Sequence, residues 1–263
     1  MLAAGLSYRE AGSADAPVVL LLHGFPESSF MWSEVMPAVA DAGWRAVAPD
    51  FAGYGDSEPD PPGTWERHIE SVERFRSELG IETCALVVHD WGGLVGLRWA
   101  CEHADAVRAL VISSTGFFPD GKWHGMAKAM REPGTGEQVM DGIDRDGFTA
   151  VMRQSSTGMT DEAIAEYWKG YADDTRRKGQ LELYRSGDFS KLEGYDLAAL
   201  GVPTLLLWGE DDEFAPVAGA HRFQRELADT ELVVVGGTRH FVWEDAPAEC
   251  AEALTGFLAR VRA

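Results

Sequence analysis

Three side chains, each closing an apolar run, are of types that could do covalent chemistry together. Asp90 follows CALVVH, Asp212 follows LLLWGED and His240 follows VVVGGTR. A carboxylate is a nucleophile that needs no deprotonation. A histidine oriented by a second acid is a general base that can activate water. Each residue also has a plain structural reading. An aspartate after a strand is by default a helix N-cap, and one histidine among seven is by default structural. Three such groups at three separate strand ends, with HGFP at the end of a fourth, make coincidence a poor explanation.

The type of nucleophile sets the target. A serine alkoxide suits attack on a carbonyl, and the usual setting is a G-x-S-x-G turn between a strand and a helix. The stretch VVHDWGG has that setting with Asp90 at the turn, and no G-x-S-x-G occurs in the chain. A carboxylate suits in-line displacement at an sp3 carbon, leaving an alkyl ester on Asp90. Water activated by His240 then releases that ester. The acid behind His240 is Asp212 by the W-G-E-x-D spacing, with Asp211 as the alternative.

Positioning these groups calls for a largely parallel sheet with helices on its faces, since functional groups of such sheets gather outside the carboxyl ends of the strands. Strands are expected at Val18–Leu22, Arg45–Ala48, Ala85–His89, Ala109–Ser113, Thr204–Trp208 and Glu231–Val235, the last five covered on both faces. Helices are expected at Ser29–Ala40, Trp65–Leu79, Gly93–His103, Ala218–Leu227 and Ala248–Val261. GLSYREAG predicts an antiparallel edge strand. Between Phe117 and about Leu192 the alternation gives way to helix-flavoured sequence, with a capping-box start at Thr160 in TDEAIAEYW. The domain reading is a core of residues 1–116 and 197–263 with a helical cap at 117–196.

Composition bounds the partners. Acidic residues outnumber basic ones 43 to 23, for a formal charge of −20, which argues against nucleic acid and anionic membrane. No apolar run approaches the ~18 residues of a membrane span. No signal peptide is evident, and Cys84, Cys101 and Cys250 form no C-x-x-C, so the expected setting is cytoplasmic. The acidic turn at Glu210, Asp211 and Glu213 reads as solvated, DRDG lacks the spacing of a calcium loop, and no P-loop or G-x-G-x-x-G occurs. No cofactor and no metal are expected.

At this point HGFPESSFMW (23–32), PDFAGYGDS (49–57), HDWGG, WGEDDEFAP (208–216) and RHFVWEDAP (239–247) carry a resemblance over nearly the whole chain. It is similar to the α/β-hydrolases of the epoxide hydrolase and haloalkane dehalogenase group, whose chain order is nucleophile, acid, histidine. The resemblance implies an α/β-hydrolase fold with an inserted cap and a small apolar substrate hydrolysed with water. It also implies backbone N–H groups of Phe25 and Trp91 holding charge on the Asp90 carboxyl. The chain begins about one strand short of these families, so a trimmed sheet edge is expected.

The two families part over the leaving group. An epoxide oxygen needs a proton, supplied in the epoxide hydrolases by cap tyrosines. LELYRSGDF (181–189) resembles the segment carrying one of them, at Tyr184. The other is expected near Met126, where no tyrosine occurs; His124 or Trp123 could stand in. Halide needs only N–H donors: the indole of Trp91 plus either an asparagine, where this chain has Phe25, or a second indole from Trp123 or Trp168. LVVHDWGGLVGLRWA is closer to the dehalogenases, and HGFP to the epoxide hydrolases. The sequence reading puts epoxide hydrolase first, with haloalkane dehalogenase as the alternative. A non-catalytic binding protein on the same scaffold is the third reading. Tyr167, Trp168 and Tyr171 read as cap–core packing, and His23 and His89 as structural.

Overall fold

A computed structural model describes residues 1–261. Eight strands form one sheet in the order β1-β2-β4-β3-β5-β6-β7-β8: β1 (Leu2–Ala3), β2 (Leu6–Ala11), β3 (Val18–Leu22), β4 (Arg45–Pro49), β5 (Cys84–His89), β6 (Val107–Ser113), β7 (Thr204–Gly209) and β8 (Thr230–Val235). β1 and β2 pair antiparallel and β2 runs antiparallel to β4; all later pairings are parallel. The order of the strands therefore switches at β3, with β4 added on one side of it and β5 on the other, and crevices open at the carboxyl ends of the strands. The first of them, β1, spans two residues.

β3, β5 and β7 are buried throughout, as strands sandwiched between helix layers must be. The expectation of full cover fails at β8. It pairs with β7 on one side only, and Glu231 and Val234 are exposed, because an edge strand has no neighbour to cover its outer flank.

The helices are α1 (Met36–Asp41), α2 (Trp65–Glu78), α3 (Trp91–Glu102), α4 (Gly125–Arg131), α5 (Thr135–Gly142), α6 (Arg145–Ser155), α7 (Asp161–Trp168), α8 (Asp174–Ser186), α9 (Ala218–Glu226), α10 (Val242–Asp245) and α11 (Pro247–Val261). The helix expected over Ser29–Ala40 is two pieces. A 3-10 turn covers Ser29–Trp32, and α1 starts afresh with Pro37 in its first turn, the position where a missing N–H costs least. Between β6 and β7 lie α4 to α8. Each of α6, α7 and α8 is N-capped by a side chain, Asp144, Thr160 and Asp173 respectively. Among the described residues no helix is long and apolar enough to cross a membrane.

Candidate active site

Asp90 sits between β5 and α3 at φ 48°, ψ −118°, a backbone conformation that non-glycine residues rarely adopt and that costs of order 1–3 kcal/mol. The strain is held from several sides. Asp90 N–H donates to Ser113 O at 3.3 Å, and Thr115 Oγ1 donates to Asp90 O at 2.7 Å. The following Gly92 lies so close to β3 that a Cβ there would come within 2.3 Å of Leu22 O. Gly24 of HGFP is under the same constraint, since its Cβ would meet Asp90 Cβ at 2.5 Å. That close approach lets the backbone N–H of Phe25 donate to Asp90 Oδ1 at 2.8 Å. Trp91 opens α3, so its N–H has no partner within the helix.

HGFP is anchored in turn. The ring of His23 receives the Phe51 N–H on Nε2 at 2.9 Å and bonds Gly24 O through Nδ1 at 2.8 Å. Asp50 holds the neighbouring turns by accepting from the N–H groups of Ser29 and Asp56. His23 is fully buried, and burial lowers its pKa, so it is a neutral tie between two loops.

The other two groups meet Asp90 as the strand ends foretold. His240 Nδ1 faces Asp212 Oδ2 at 3.0 Å, and His240 Nε2 stands 3.6 Å from Asp90 Oδ2. Asp212, rather than the exposed Asp211, is the acid at the histidine; its Oδ1 also accepts from the N–H groups of Phe214 and Ala215. Burial alone would drive His240 toward neutrality. The charge and hydrogen bond of Asp212, followed by those of Asp90, outweigh it and raise the pKa well above the ordinary value. Burial would likewise raise Asp90, but His240 and then the Phe25 N–H bring it down to about 2. At neutral pH Asp90 is thus an ionised carboxylate. His89, one residue before it, packs its ring against that of His240 at 5.0 Å, but its nitrogens face elsewhere: Nδ1 lies 3.4 Å from Ser113 Oγ and Nε2 3.5 Å from Glu27.

A cavity opens above Asp90 and His240. Tyr184 lines it with Phe25, its ring edge-on to those of Phe25 and Trp91 at 5.1 and 5.0 Å. Burial and then the Asp90 charge push the phenol well above its usual pKa, with a hydrogen bond from Trp91 pulling the other way. The phenol is therefore a protonated O–H beside an anionic carboxylate. His124 also lines the cavity. Its Nδ1 accepts the Ala127 N–H at 3.4 Å, capping α4, and burial lowers its pKa. A neutral ring bonded that way carries its hydrogen on Nε2.

Two expected donors are placed elsewhere. Trp168 stacks on Tyr171 at 5.4 Å and packs against Phe148, and it is not among the cavity's lining residues. As the last residue of α7, its ring is taken up by neighbours within the same layer. Trp123 stacks on Trp91 at 5.4 Å and lines an adjoining cleft that also reaches Asp90. Tyr171, read from sequence as packing, lines the main cavity with Tyr184. It lies in a 3-10 turn after α7, where helical spacing no longer predicts which way a side chain faces. Phe214, edge-on to both His240 and His124, was also missed; its place follows from the two bonds Asp212 makes to the turn after it.

Residues 17–247 match the model of the alpha/beta hydrolase fold family. The chain belongs to that family. It is 28% identical to a haloalkane dehalogenase of Bradyrhizobium diazoefficiens over 100% of this chain and 94% of that protein. It is 27% identical to epoxide hydrolase A of Mycobacterium tuberculosis, covering 95% and 92%. The crystal structure of haloalkane dehalogenase DbeA from Bradyrhizobium elkani superposes with a TM-score of 0.85 at 27% identity, covering 98% and 94%. The protein is thus a hydrolase of the haloalkane dehalogenase and epoxide hydrolase group. Within it, the relatives' names lean to dehalogenase, whereas the sequence reading put epoxide hydrolase first.

Proposed function

We propose that the protein hydrolyses epoxides to vicinal diols through a covalent ester on Asp90, with α4 to α8 acting as the cap over the site. Oδ1 of Asp90 is engaged by Phe25 N–H, so Oδ2 attacks the epoxide carbon, and the C–O bond of the ring breaks. The departing oxygen takes a proton from Tyr184, with the Nε2–H of His124 as a second donor. His240 then takes a proton from water, hydroxide attacks Cγ of Asp90, and charge collects on Oδ1 against the N–H of Phe25 and that of Trp91. The bond from Cγ to Oδ2 breaks, Oδ2 takes the remaining proton of the attacking hydroxide so that a neutral diol leaves and Asp90 is a carboxylate again, and the proton on His240 returns to the phenolate of Tyr184.

The observation that carries this reading is what stands around the leaving group. A protonated phenol lies against Trp91 beside Asp90, and residue 25, where a dehalogenase would use an amide, offers only a ring. An alkoxide leaving group needs a proton donor of this kind; a halide does not.

The second reading is haloalkane dehalogenase, favoured by the names of the relatives and by the indole of Trp91 as one halide donor. The two give different adducts. His240→Gln, incubated with an equimolar mixture of styrene oxide and 1-bromobutane, should accumulate a hydroxyalkyl ester visible as added intact mass. A butyl adduct would favour the dehalogenase. An unmodified protein across a wider panel would favour a binding protein on this scaffold.

A further inference from the structure

Arg131 closes α4 with its guanidinium engaged on another helix. Nη1 donates to the carbonyl oxygens of Tyr184 and Gly187, at the carboxyl end of α8. Tyr184 O is among the last four carbonyls, for which a helix has no N–H of its own, and a cation there also meets the negative end of the helix dipole. The same guanidinium lies over Trp123, its carbon 5.0 Å from the ring centre. Trp123 in turn stacks on Trp91 at 5.4 Å, with 24° between the planes. Both groups that Arg131 touches therefore border the leaving group. Tyr184 stands edge-on to Trp91 at 5.0 Å. Residue 187 comes so near Trp91 that a Cβ on Gly187 would stand 2.5 Å from Cη2 of the indole. No side chain fits in that gap, so the backbone gripped by Arg131 is itself packed on Trp91.

We infer that Arg131 is a positioning residue for the leaving-group side of the site: it clamps the end of α8 to the Trp123–Trp91 stack and so fixes where the Tyr184 phenol and the Trp91 indole point. For Tyr184 this rests on the proposed reaction; for Trp91 it rests on the packing alone. A planar guanidinium can donate to two carbonyls and lie flat on an indole at once, whereas the ammonium of a lysine is a compact point charge. The clamp acts where the leaving group departs, so it bears on ester formation. Ester hydrolysis depends on His240, which is held by Asp212, and on backbone N–H groups set by HGFP and the start of α3. A residue that only capped α8 would not separate the two steps.

The test is rapid-quench single turnover of styrene oxide, followed by intact mass so that the two half-reactions are read apart. Arg131→Ala should slow ester formation about tenfold and leave ester hydrolysis within about twofold. Arg131→Lys should recover part of the loss, to within about threefold of wild type. In the Tyr184→Phe background Arg131→Ala should cost less than about threefold, because residues that act through one another are not additive. Arg131→Gln, which keeps a donor and loses the charge, should show the same split between steps and serves should Arg131→Ala not fold. Equal slowing of both steps, an undiminished ester formation, or a full tenfold loss on top of Tyr184→Phe would overturn the role. Wild-type protein that forms only a butyl ester from 1-bromobutane would sink the epoxide reading; a butyl ester formed about tenfold more slowly in Arg131→Ala would then uphold the clamp through Trp91. One readout needs no turnover. The difference between wild type and Trp123→Phe gives the far-ultraviolet circular-dichroism couplet of the Trp91–Trp123 stack, and Arg131→Ala should weaken it. An unchanged couplet would overturn the clamp whatever the protein hydrolyses.

Discussion

His240 Nε2 stands 3.6 Å from Asp90 Oδ2 while its other nitrogen is held by Asp212 at 3.0 Å. The imidazole is therefore poised between two carboxylates, and both raise its pKa. Esterification removes the charge of Asp90 and with it one of those two influences, so His240 becomes easier to deprotonate at the step where a base is wanted. Two half-reactions with different pH dependence should result. Asp90, at about 2, is ionised at all working pH values, so the rate of ester formation should be flat from pH 5 to 9. Ester hydrolysis needs neutral His240 and should fall as pH drops through its value in the intermediate. Stopped-flow single turnovers separate the two; a formation rate that drops with acid while hydrolysis stays flat would reverse the assignment.

The route through Cγ also fixes which oxygen leaves. Because water attacks the acyl carbon and Oδ2 departs with the product, the first turnover in H2-18O should yield a diol free of the label, with 18O retained in the protein. A single-turnover experiment at excess enzyme, read by mass spectrometry of the product, distinguishes this from direct attack of water on the epoxide, which would put label in the diol at once.

Tyr184→Phe removes the phenol while keeping the ring that packs on Phe25 and Trp91. Opening of styrene oxide should slow at least tenfold, about 1.4 kcal/mol, and any turnover of 1-bromobutane should be nearly unchanged. Equal losses on both would reduce Tyr184 to a packing role. The residual rate in Tyr184→Phe should fall further in the double variant with His124→Ala, since His124, like Tyr171, is a further donor lining the cavity.

The core was legible because strands covered on both faces must be apolar over most of their length, and the five runs that became β3 to β7 are, with Arg45 and Arg108 only at the leading ends of β4 and β6. Asp90, Asp212 and His240 were legible because each ends such a strand, so the sheet itself dictates that they meet. The helical layer between β6 and β7 was less so. Its side chains are aimed by short helices and 3-10 turns, and a turn of one residue more or less rotates a side chain by about 100°. Tyr184 fell in the cavity and Trp168 outside it, although both are aromatic residues near the ends of helices in that layer. β8 misled for a different reason: its valines read as buried, but burial of an edge strand depends on what lies beside it, which its own sequence does not carry.

One feature behind the site bears on stability. Glu27 is fully buried, with Oε2 accepting from Gly24 N–H at 3.2 Å and 3.5 Å from His89 Nε2. Burial and then the Glu244 charge raise its pKa well above the carboxylate range. Glu244, which accepts from Tyr167 Oη, is raised to about 7 by burial, against hydrogen bonds from Tyr167 and Glu27. Glu27 Oε1 and Glu244 Oε2 are buried with no other partner, which fits a proton shared between the two carboxyls. Both folded pKa values lie above the unfolded value near 4.5. The folded protein therefore binds more protons than the unfolded chain, and the pair's contribution is complete below pH 4.5 and lost as pH rises through about 7. Glu27→Gln keeps a donor for Glu244 and cannot ionise. Relative to wild type it should gain about 1 kcal/mol, or ~2–4 °C in Tm, between pH 5 and pH 8.5. Scanning calorimetry at the two pH values reads the difference. An identical offset at both would mean that the carboxyl pair releases its proton without cost, and that Glu27 is held by Gly24 and His89 as an ordinary anion.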